Sequence, residues 1–307
     1  MAMKLLVVVL LLAAQAHAGV VARSACYCFP GDGCWPAESA WASLNSTVGG
    51  RLVATVPIGY PCHTPNYDAT ECAALQSQWK LPQLHLGSSS SVMQAYFANQ
   101  SCDPFTSQEQ PCLLGNYVRY AVNATSSADV VATINFARSK NIRFVIRNTG
   151  HDFLGRSTGA GALAIWTQHL KTVQFSDWSD SSYKGKAMKM GAGILGYEAV
   201  TAAAGQGLVV ITGTCPTVGA AGGYIQGGGH SALSTNFGLG ADQTLEFEVA
   251  TAAGKIVKAS RTQNSDLYWA LSGGGGGTYA VVLSVTVRAY PDAKVGGASL
   301  QMAAAST

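Results

Sequence analysis

The sequence predicts an α+β protein in which a cysteine-rich segment precedes one larger domain of alternating helices and strands. Three observations lead to this prediction. Seven of the eight cysteines lie between Cys26 and Cys112. Beyond them, apolar residues at helical spacing are followed by a run typical of a buried strand. Short apolar runs bounded by turn residues then fill the second half of the chain, which favours a sheet there.

Residues 1–18 have the pattern of a secretory signal peptide. Lys4 precedes an apolar run from Leu5 to Ala14, and Ala16-His17-Ala18 has the small-x-small form of a cleavage site. An uncleaved anchor is the alternative, but the roughly 20 apolar residues that a membrane span needs are not present. We therefore expect a secreted, extracellular protein with no membrane segment after cleavage.

Residues 19–115 are expected to form an irregular segment that disulfides hold together. The segment is rich in Pro, Ser, Cys and Trp, and apolar pieces such as Leu52–Val56 are short. In an oxidising compartment its cysteines should be largely disulfides, whose pairing the spacing leaves open. Secretion is also favoured by three Asn-x-Ser/Thr sequons, which predict a glycoprotein and lie at Asn45, Asn99 and Asn123.

Residues 116–291 carry the alternating elements. A helix is predicted from Ala128 to Lys140 after the Ser126-Ser127 cap, and the Arg143–Ile146 strand follows it. A second helix fits Tyr197–Ala204. Further strands are predicted at Leu163–Trp166, Lys171–Phe175, Ala187–Met190, Val209–Ile211, Thr244–Thr251, Lys255–Ala259 and Tyr279–Tyr290, with Ala252–Gly254 as a hairpin turn.

Composition excludes one class of partner and indicates another. Charged residues make up only 11% of the 307 residues and the net charge is +3, with no basic cluster, so nucleic acid is not expected as a partner. Glycine is enriched at 35 residues, and many of them lie between Gly191 and Gly277. Backbone without side chains can approach a ligand closely, so this region is expected to bind one.

Three familiar motifs are weak here. Gly191-x-Gly193-x-x-Gly196 matches a nicotinamide-binding turn, but no acidic residue lies between Glu198 and Asp242 to bind the ribose; a tight turn with close helix packing is the other interpretation. The run from Gly273 to Gly277 is not a phosphate-binding P-loop, because no Gly-Lys-Ser/Thr follows. The histidines do not occur in zinc-binding spacings, so no metal is expected.

Two segments carry a more specific signal. Arg147-Asn-Thr-Gly-His-Asp152 directly follows a predicted strand, and such a loop can present several backbone N–H groups to one anion, with Arg147 adding a charge suited to pyrophosphate. The stretch from Gly213 to Ser231 is so rich in glycine that backbone must lie against a flat ring or a diphosphate. These residues indicate a large, phosphate-bearing cofactor.

Four blocks in this order resemble the FAD-binding domain of the berberine-bridge-enzyme-like flavoproteins. This family belongs to the vanillyl-alcohol-oxidase superfamily and has a PCMH-type FAD domain of two α/β subdomains; the motifs are similar to those of secreted fungal FAD-linked oxidoreductases, including those called isoamyl alcohol oxidases. The blocks are Arg147-Asn-Thr-Gly-His151, Cys215-Pro-Thr-Val-Gly219 with Gly227–Gly229, Phe237-Gly-Leu-Gly-Ala-Asp242, and Asp266-Leu-Tyr-Trp-Ala-Leu-Ser-Gly-Gly-Gly-Gly-Gly277-Thr-Tyr.

The resemblance implies that FAD is held covalently. His151 matches the histidine that bonds the flavin 8α-methyl, and Cys215 matches the cysteine that bonds flavin C6 in bicovalent members. A loop histidine capping a backbone group and a fourth disulfide are the respective alternatives. Further cofactor-binding residues implied by position in the matching blocks are Arg147, Asn148, Thr149, Gly150, Asp152, Ser157, Gly213, Thr214, Gly219, Gly222, Gly223, Gly228, His230 and Asp242.

The resemblance also implies a reaction. Val218 matches the position that governs access of dioxygen to the flavin, and a small side chain there favours an oxidase. A substrate C–H next to oxygen or nitrogen would deliver hydride to flavin N5 while a base removes a proton, and dioxygen would accept the electrons. A dehydrogenase with another acceptor and a flavin-binding protein without turnover are the alternatives.

The resemblance implies that the family's substrate domain is largely absent from the sequence up to Thr307. Residues 292–307 are a small-residue tail, interpreted as the truncated start of that domain, which normally supplies the catalytic base. We therefore expect an incomplete enzyme with no assignable base, in which Tyr224 and His230 are flavin neighbours. A small-molecule substrate and a monomer are expected.

Overall fold

The computed structural model describes residues 26–293, 296 and 298–302, so the predicted signal peptide lies outside the described residues. Within that part, the helices and strands are as follows. The helices are α1 (Glu38–Thr47), α2 (Ala69–Gln78), α3 (Pro82–Leu86), α4 (Ala95–Ala98), α5 (Ser127–Ser139), α6 (Gly196–Ala204), α7 (Ser234–Phe237) and α8 (Ser265–Leu271). The strands are β1 (Leu52–Ala54), β2 (Tyr120–Asn123), β3 (Phe144–Arg147), β4 (Leu163–Trp166), β5 (Val173–Ser179), β6 (Lys184–Gly191), β7 (Leu208–Val209), β8 (Thr244–Ala250), β9 (Ile256–Ser260) and β10 (Val281–Pro291).

The strands form two sheets, each with its own helices. The first has the order β1-β2-β4-β3, in which β2, β4 and β3 are parallel and β1 is antiparallel to β2. The second has the order β5-β6-β10-β8-β9 and is antiparallel throughout, with β7 pairing the end of β10. This mixture confirms the predicted α+β class.

Helix α5 begins where the sequence predicts, because its N-terminus is capped. The Ser126 hydroxyl accepts a hydrogen bond from Asp129 N at 3.3 Å, and an Asp129 carboxylate oxygen accepts one from Ser126 N at 3.0 Å. The same carboxylate pairs with Arg51 at 2.5 Å. Burial acts to raise the pKa of Asp129, but the hydrogen bond from Arg51 and those from the cap outweigh it and lower the pKa. The cap and the ion pair thus connect the cysteine-rich segment to the first sheet.

The cysteine-rich segment is more regular than the sequence suggests. It contains α1 and α2, and its strand β1 pairs with β2 in the register Leu52 to Val122. Trp41 and Leu44 of α1 are buried in the same core as α5. The predicted boundary at residue 115 therefore crosses a sheet, because β1 pairs with a strand that lies beyond that boundary.

Three local disulfides hold this segment. Cys28 pairs with Cys34, Cys62 with Cys72, and Cys102 with Cys112. The prediction that the clustered cysteines are largely disulfides is confirmed for these six. The two cysteines left unpaired in the described part of the chain are Cys26, which is exposed, and Cys215, which is half-buried.

The second half confirms a sheet covered by helices. β4 spans the predicted residues, and β8, β10 and α6 differ from prediction by one or two residues at their ends. The core here packs β6, β8 and β10 against α6 and α8 through fully buried side chains. They include Met188, Phe247, Val249, Val285 and Leu271.

The Gly191-x-Gly193-x-x-Gly196 motif serves backbone packing. A Cβ at Gly191 or Gly193 would overlap the carbonyl groups of Leu170 and Gln168, so only glycine fits. Gly196 opens α6, and its N–H donates to Val218 O at 2.8 Å. The motif therefore forms the tight turn with close helix packing that was one of its two interpretations.

None of the described helices has the length and apolar character needed to cross a bilayer. In the interval 292–307, residues 292, 293, 296 and 298–302 are described and contain no helix or strand beyond the end of β10.

Candidate functional site

A cavity of about 490 Å³ lies where loops of the two sheets meet. Its wall comes from the loop after β3, the glycine-rich stretch after Cys215, and the glycine run before β10. Eleven of the predicted site residues line it: Asn148, Thr149, Gly150, His151, Asp152, Ser157, Val218, Gly219, Gly222, Gly223 and His230.

The loop after β3 is shaped by two residues. The Asn148 amide donates to Thr167 Oγ1 and to Ala192 O, both at 2.9 Å, which ties the loop to both sheets. Gly150 has φ +81°, and a Cβ there would overlap the Arg147 guanidinium. Glycine is therefore required directly before His151.

Arg147 does not face the cavity, which corrects the expectation that its charge reaches a bound pyrophosphate. Its side chain is fully buried behind the loop, with Nη2 donating to Ser88 O at 2.7 Å and to His85 O at 2.9 Å. Burial lowers the pKa of Arg147 to about 10. The residue instead joins the cavity loop to the cysteine-rich segment, because carbonyl oxygens of that segment are its hydrogen-bond partners.

The cation at the cavity is Arg156, which the sequence motifs did not indicate. Its Nη1 donates to Thr278 Oγ1 at 2.6 Å, so its side chain spans from the β3 loop to the glycine run. The Arg156 backbone N–H also donates to Asp152 Oδ2 at 2.6 Å, while Asp152 Oδ1 is buried without a partner in the described residues. Nothing in the Arg147 block distinguishes the two arginines, because only the tertiary structure shows which one points outward.

The glycines in the stretch from Gly213 to Ser231 have two different structural roles. A Cβ at Gly219 or Gly222 would overlap the Asn148 side chain, so these glycines allow two backbone segments to touch. A Cβ at Gly223 or Gly227 would meet no protein atom within 4 Å, and both residues line the cavity. These two positions leave open space in which a ligand can lie.

Gly275, Gly276 and Gly277 complete the wall, although no role was predicted for them individually. Gly275 and Gly277 have φ of +94° and +71°, which L side chains rarely adopt. The run of five glycines was the signal that could have found them. A second cavity of about 570 Å³ shares Ile146 and Gly277 with the first and has Arg138 and Arg143 in its wall.

His151 and Cys215 approach the same hydroxyl. His151 Nε2 is 2.8 Å from Thr217 Oγ1, and Cys215 Sγ is 3.6 Å from that same oxygen. Burial, with a smaller effect from His85, lowers the pKa of His151, so its imidazole is neutral at pH 7. Cys215 does not itself line the cavity. Its sulfur lies next to the Thr217 hydroxyl, which contacts His151, and His151 does line the cavity.

Four other predicted residues lie outside the cavity wall. Gly213 packs under the Tyr224 ring, and Thr214 is exposed. Gly228 has φ +101° and serves the turn. Asp242 Oδ2 accepts a hydrogen bond from Leu239 N at 2.8 Å, so Asp242 caps a local turn.

Tyr224 lines the cavity but is not suited to remove a proton. Its hydroxyl is 2.9 Å from Gly229 O and 2.8 Å from His230 O, so two carbonyl groups hold it in place. Burial raises its pKa to about 12, which keeps the phenol protonated at neutral pH.

The wall fits the predicted cofactor in three respects. Gly223 and Gly227 provide a surface without side chains, on which a flat ring can lie. Phe153 and Leu154 add exposed apolar side chains, which suit the apolar body of a ring system. Arg156 and the adjoining second cavity with its two arginines suit the charged, elongated part of the cofactor beyond its ring system.

Comparison with known proteins identifies the same cofactor. A family model described as FAD binding domain matches residues 118–260. FAD-linked oxidoreductase ZEB1 from Gibberella zeae is 57% identical over 275 residues, which cover 90% of this chain and 49% of that protein. FAD-linked oxidoreductase sthB from Phaeosphaeria nodorum is 53% identical over 215 residues, covering 70% of this chain and 68% of that protein. The chain spans about half the length of most curated relatives that it matches.

Solved structures share the fold. The VAO-type flavoprotein MtVAO615 from Myceliophthora thermophila superposes with a TM-score of 0.85 at 51% identity, covering 87% of this chain and 50% of that one. Glucooligosaccharide oxidase from Acremonium strictum superposes with a TM-score of 0.50 at 26% identity, covering 56% of this chain and 35% of that one. The chain therefore belongs to the FAD-linked oxidoreductases of the VAO family and carries their PCMH-type FAD-binding fold.

Proposed function

We propose that this chain is the flavin-binding part of a secreted oxidase of the berberine-bridge-enzyme-like group, with FAD bonded to His151 and Cys215. When bound, the flavin accepts a hydride from an alcohol, a sugar or a related CH–OH or CH–NH group and passes the electrons to dioxygen. The protein is proposed to act as a monomer on a small-molecule substrate.

One observation carries the covalent part of this proposal: His151 and Cys215 meet at the Thr217 hydroxyl beside the cavity. Neither side chain has another structural role in the described part of the chain. Cys215 is not in a disulfide there, and the His151 ring forms no hydrogen bond to a backbone group. The glucooligosaccharide oxidase of Acremonium strictum has a 6-S-cysteinyl, 8α-N1-histidyl FAD. The same pair of residue types at this cavity supports the same pair of bonds here.

Each of the two side chains is in a state suited to bond formation. The lowered pKa of His151 keeps a lone pair on one ring nitrogen at neutral pH. Cys215 is half-buried and outside any disulfide of the described residues, and its sulfur lies 3.6 Å from the Thr217 hydroxyl. A secreted enzyme benefits from both bonds, because a covalent cofactor cannot dissociate.

Secretion is supported by the apolar run in residues 1–18 and by three disulfides, which persist in oxidising compartments. Of the predicted glycosylation sites, Asn99 is exposed and Asn45 is half-buried. Asn123 lies within β2 with its Oδ1 buried. We propose glycosylation at Asn99 first, because it is the most exposed of the three asparagines.

Dioxygen as acceptor can be tested independently of the substrate. Val218 lines the cavity, and we propose that its small side chain leaves a path for dioxygen to the flavin. Protein reduced with one equivalent of dithionite without air should return to yellow within seconds of mixing with air-saturated buffer and release one peroxide per flavin. Val218→Ile should slow this return by about tenfold or more, because the added methylene narrows the path. Val218→Ala is the control and should return as fast as the wild type.

Other outcomes distinguish the alternatives. Slow return in air with fast return on addition of a dye acceptor would contradict the oxidase and indicate a dehydrogenase. Failure of a panel of alcohols and sugars to bleach the flavin anaerobically, in the longer protein as well as in this chain, would indicate flavin binding without turnover. We assign no catalytic base; Tyr224 is not one, because two carbonyl groups hold its hydroxyl and burial keeps it protonated.

The bond to Cys215 leads to a prediction of its own. Cys215→Ala should keep the flavin attached through His151 alone, with a changed absorption spectrum and a lower reduction potential, because the sulfur substituent on the ring is lost. Peptide mapping by mass spectrometry should move from a flavin that joins two peptides to a flavin on one. Cys26→Ser, which removes the other unpaired cysteine of the described residues, is the control and should change none of these properties. A wild-type disulfide between Cys215 and any upstream cysteine would contradict the assignment.

A further inference from the structure

The hydroxyl of Thr217 joins the two proposed attachment residues, and Thr217 is not among the predicted site residues. Thr217 is buried, with 5% of its surface exposed, and lies 2.8 Å from His151 Nε2 and 3.6 Å from Cys215 Sγ. A buried hydroxyl between two reactive groups can hold both of them in a defined hydrogen-bonded state.

The backbone around Thr217 is fixed by the start of α6. Gly196 N donates to Val218 O at 2.8 Å, and Tyr197 N donates to Pro216 O at 3.1 Å. Val218 N also donates to Cys215 O at 3.4 Å, which closes a turn. Thr217 therefore has little freedom to move away from the two side chains, and its hydroxyl is placed by the fold.

A hydroxyl has one hydrogen to donate and lone pairs with which to accept. If the Thr217 oxygen accepts the hydrogen of His151 Nε2 and donates its own to Cys215 Sγ, all three groups are satisfied. In this arrangement the Nδ1 lone pair of His151 is left for the cavity, and no described residue forms a hydrogen bond to Nδ1. The same arrangement orients the Cys215 sulfur through the hydrogen bond from Thr217.

We propose that Thr217 is the positioning residue for flavin attachment, orienting His151 through Nε2 and Cys215 through Sγ; this inference rests on the proposed function. Each bond replaces one hydrogen of the flavin, and the side-chain N–H or S–H hydrogen leaves as well. Two protons and two electrons are thus released per bond, and dioxygen takes them up as one hydrogen peroxide. Thr217 supplies no electrons; it sets which ring nitrogen is free and lies where the Nε2 proton can be taken up.

The test compares variants at this hydroxyl in holoprotein purified from one host. Thr217→Val keeps the shape and removes the hydroxyl, whereas Thr217→Ser keeps the hydroxyl. Thr214→Val is the matched control, because Thr214 is exposed and outside the cavity wall. The readouts are the flavin retained by acid-precipitated protein and the flavin peptides found by mass spectrometry. Thermal unfolding and total bound flavin check that each variant is folded.

Wild-type protein, Thr217→Ser and Thr214→Val should carry both bonds. Thr217→Val should bind FAD but carry both bonds in roughly a tenth of its molecules or fewer, since misplacing a reacting group by about 1 Å can cost 100-fold in rate. If Thr217→Val does not fold, Thr217→Ala, which only removes atoms, takes its place. Full attachment to wild type and to Thr217→Val alike would overturn the inference alone. Complete acid release of flavin from the wild type would overturn the proposed function and the inference together.

Discussion

Acid denaturation of the purified wild-type protein is expected to precipitate the flavin with the polypeptide. The physical reason is that His151 and Cys215 converge on one hydroxyl beside a cavity whose wall suits a flat ring. Two covalent bonds survive unfolding, whereas hydrogen bonds and packing do not. The measurement is the absorbance of the supernatant and of the redissolved pellet, followed by proteolysis and mass spectrometry of the yellow peptides.

Substitutions separate the two bonds. His151→Ala should leave flavin on the Cys215 peptide only, and the double substitution with Cys215→Ala should release all flavin into the acid supernatant. His230→Ala is the matched control, because His230 lines the same cavity and its side chain forms no hydrogen bond to Cys215 or Thr217 in the described structure. It should keep both bonds. Quantitative release of flavin from the wild type would reject both attachment residues at once.

A leucine at Gly223 is expected to abolish flavin binding without unfolding the protein. A Cβ at Gly223 meets no protein atom within 4 Å, so the added side chain enters the cavity instead of the core. Occupying the space of the ring should reduce bound flavin at least tenfold, which corresponds to about 1.4 kcal/mol of binding free energy or more. Gly223→Leu should therefore lower the flavin content per protein and leave the thermal unfolding midpoint of the protein unchanged.

Two further glycine substitutions serve as comparisons for Gly223→Leu. Gly222→Ala should lower the free energy of unfolding by about 1–3 kcal/mol, because its Cβ would overlap the Asn148 side chain and force a backbone shift. Gly33→Leu places the same bulk in open space far along the chain from the cavity wall and should change neither quantity. Wild-type flavin content in Gly223→Leu would show that the ring does not lie over Gly223.

Much of the larger domain could be predicted from local sequence. Helix α5 and strand β4 agree with expectation because a capping box and a bounded apolar run encode them within a few residues. The cysteine-rich segment was harder, since the buried residues of α1 are only Trp41 and Leu44 and that of α2 only Cys72, which leaves little apolar periodicity to detect. Strand β1 has only three residues and is stable through its pairing with β2, which no local pattern reveals.

The site shows the same division between local and tertiary information. The Asn148–Asp152 loop and the Gly219–Gly223 turn could be placed at one cavity from motifs, because glycine spacing records where backbone must approach a ligand. The motif does not encode the direction in which each arginine points. The Arg147 side chain, at the end of β3, is buried and donates hydrogen bonds to the carbonyl oxygens of Ser88 and His85. Arg156 lies on the surface of the loop and lines the cavity.

The amino-acid sequence by itself indicated the fold class and a large phosphate-bearing cofactor, since these depend on residue types at short spacings. FAD and the two residues proposed to hold it followed from the resemblance of four sequence blocks to a known family. Only the tertiary structure decided that Thr217 lies between His151 and Cys215, 66 and 2 positions away along the chain. It likewise decided that Arg156 is the cation at the cavity. Both facts arise from packing between segments that are distant in the chain, and the free energy of that packing depends on the whole fold rather than on any local pattern.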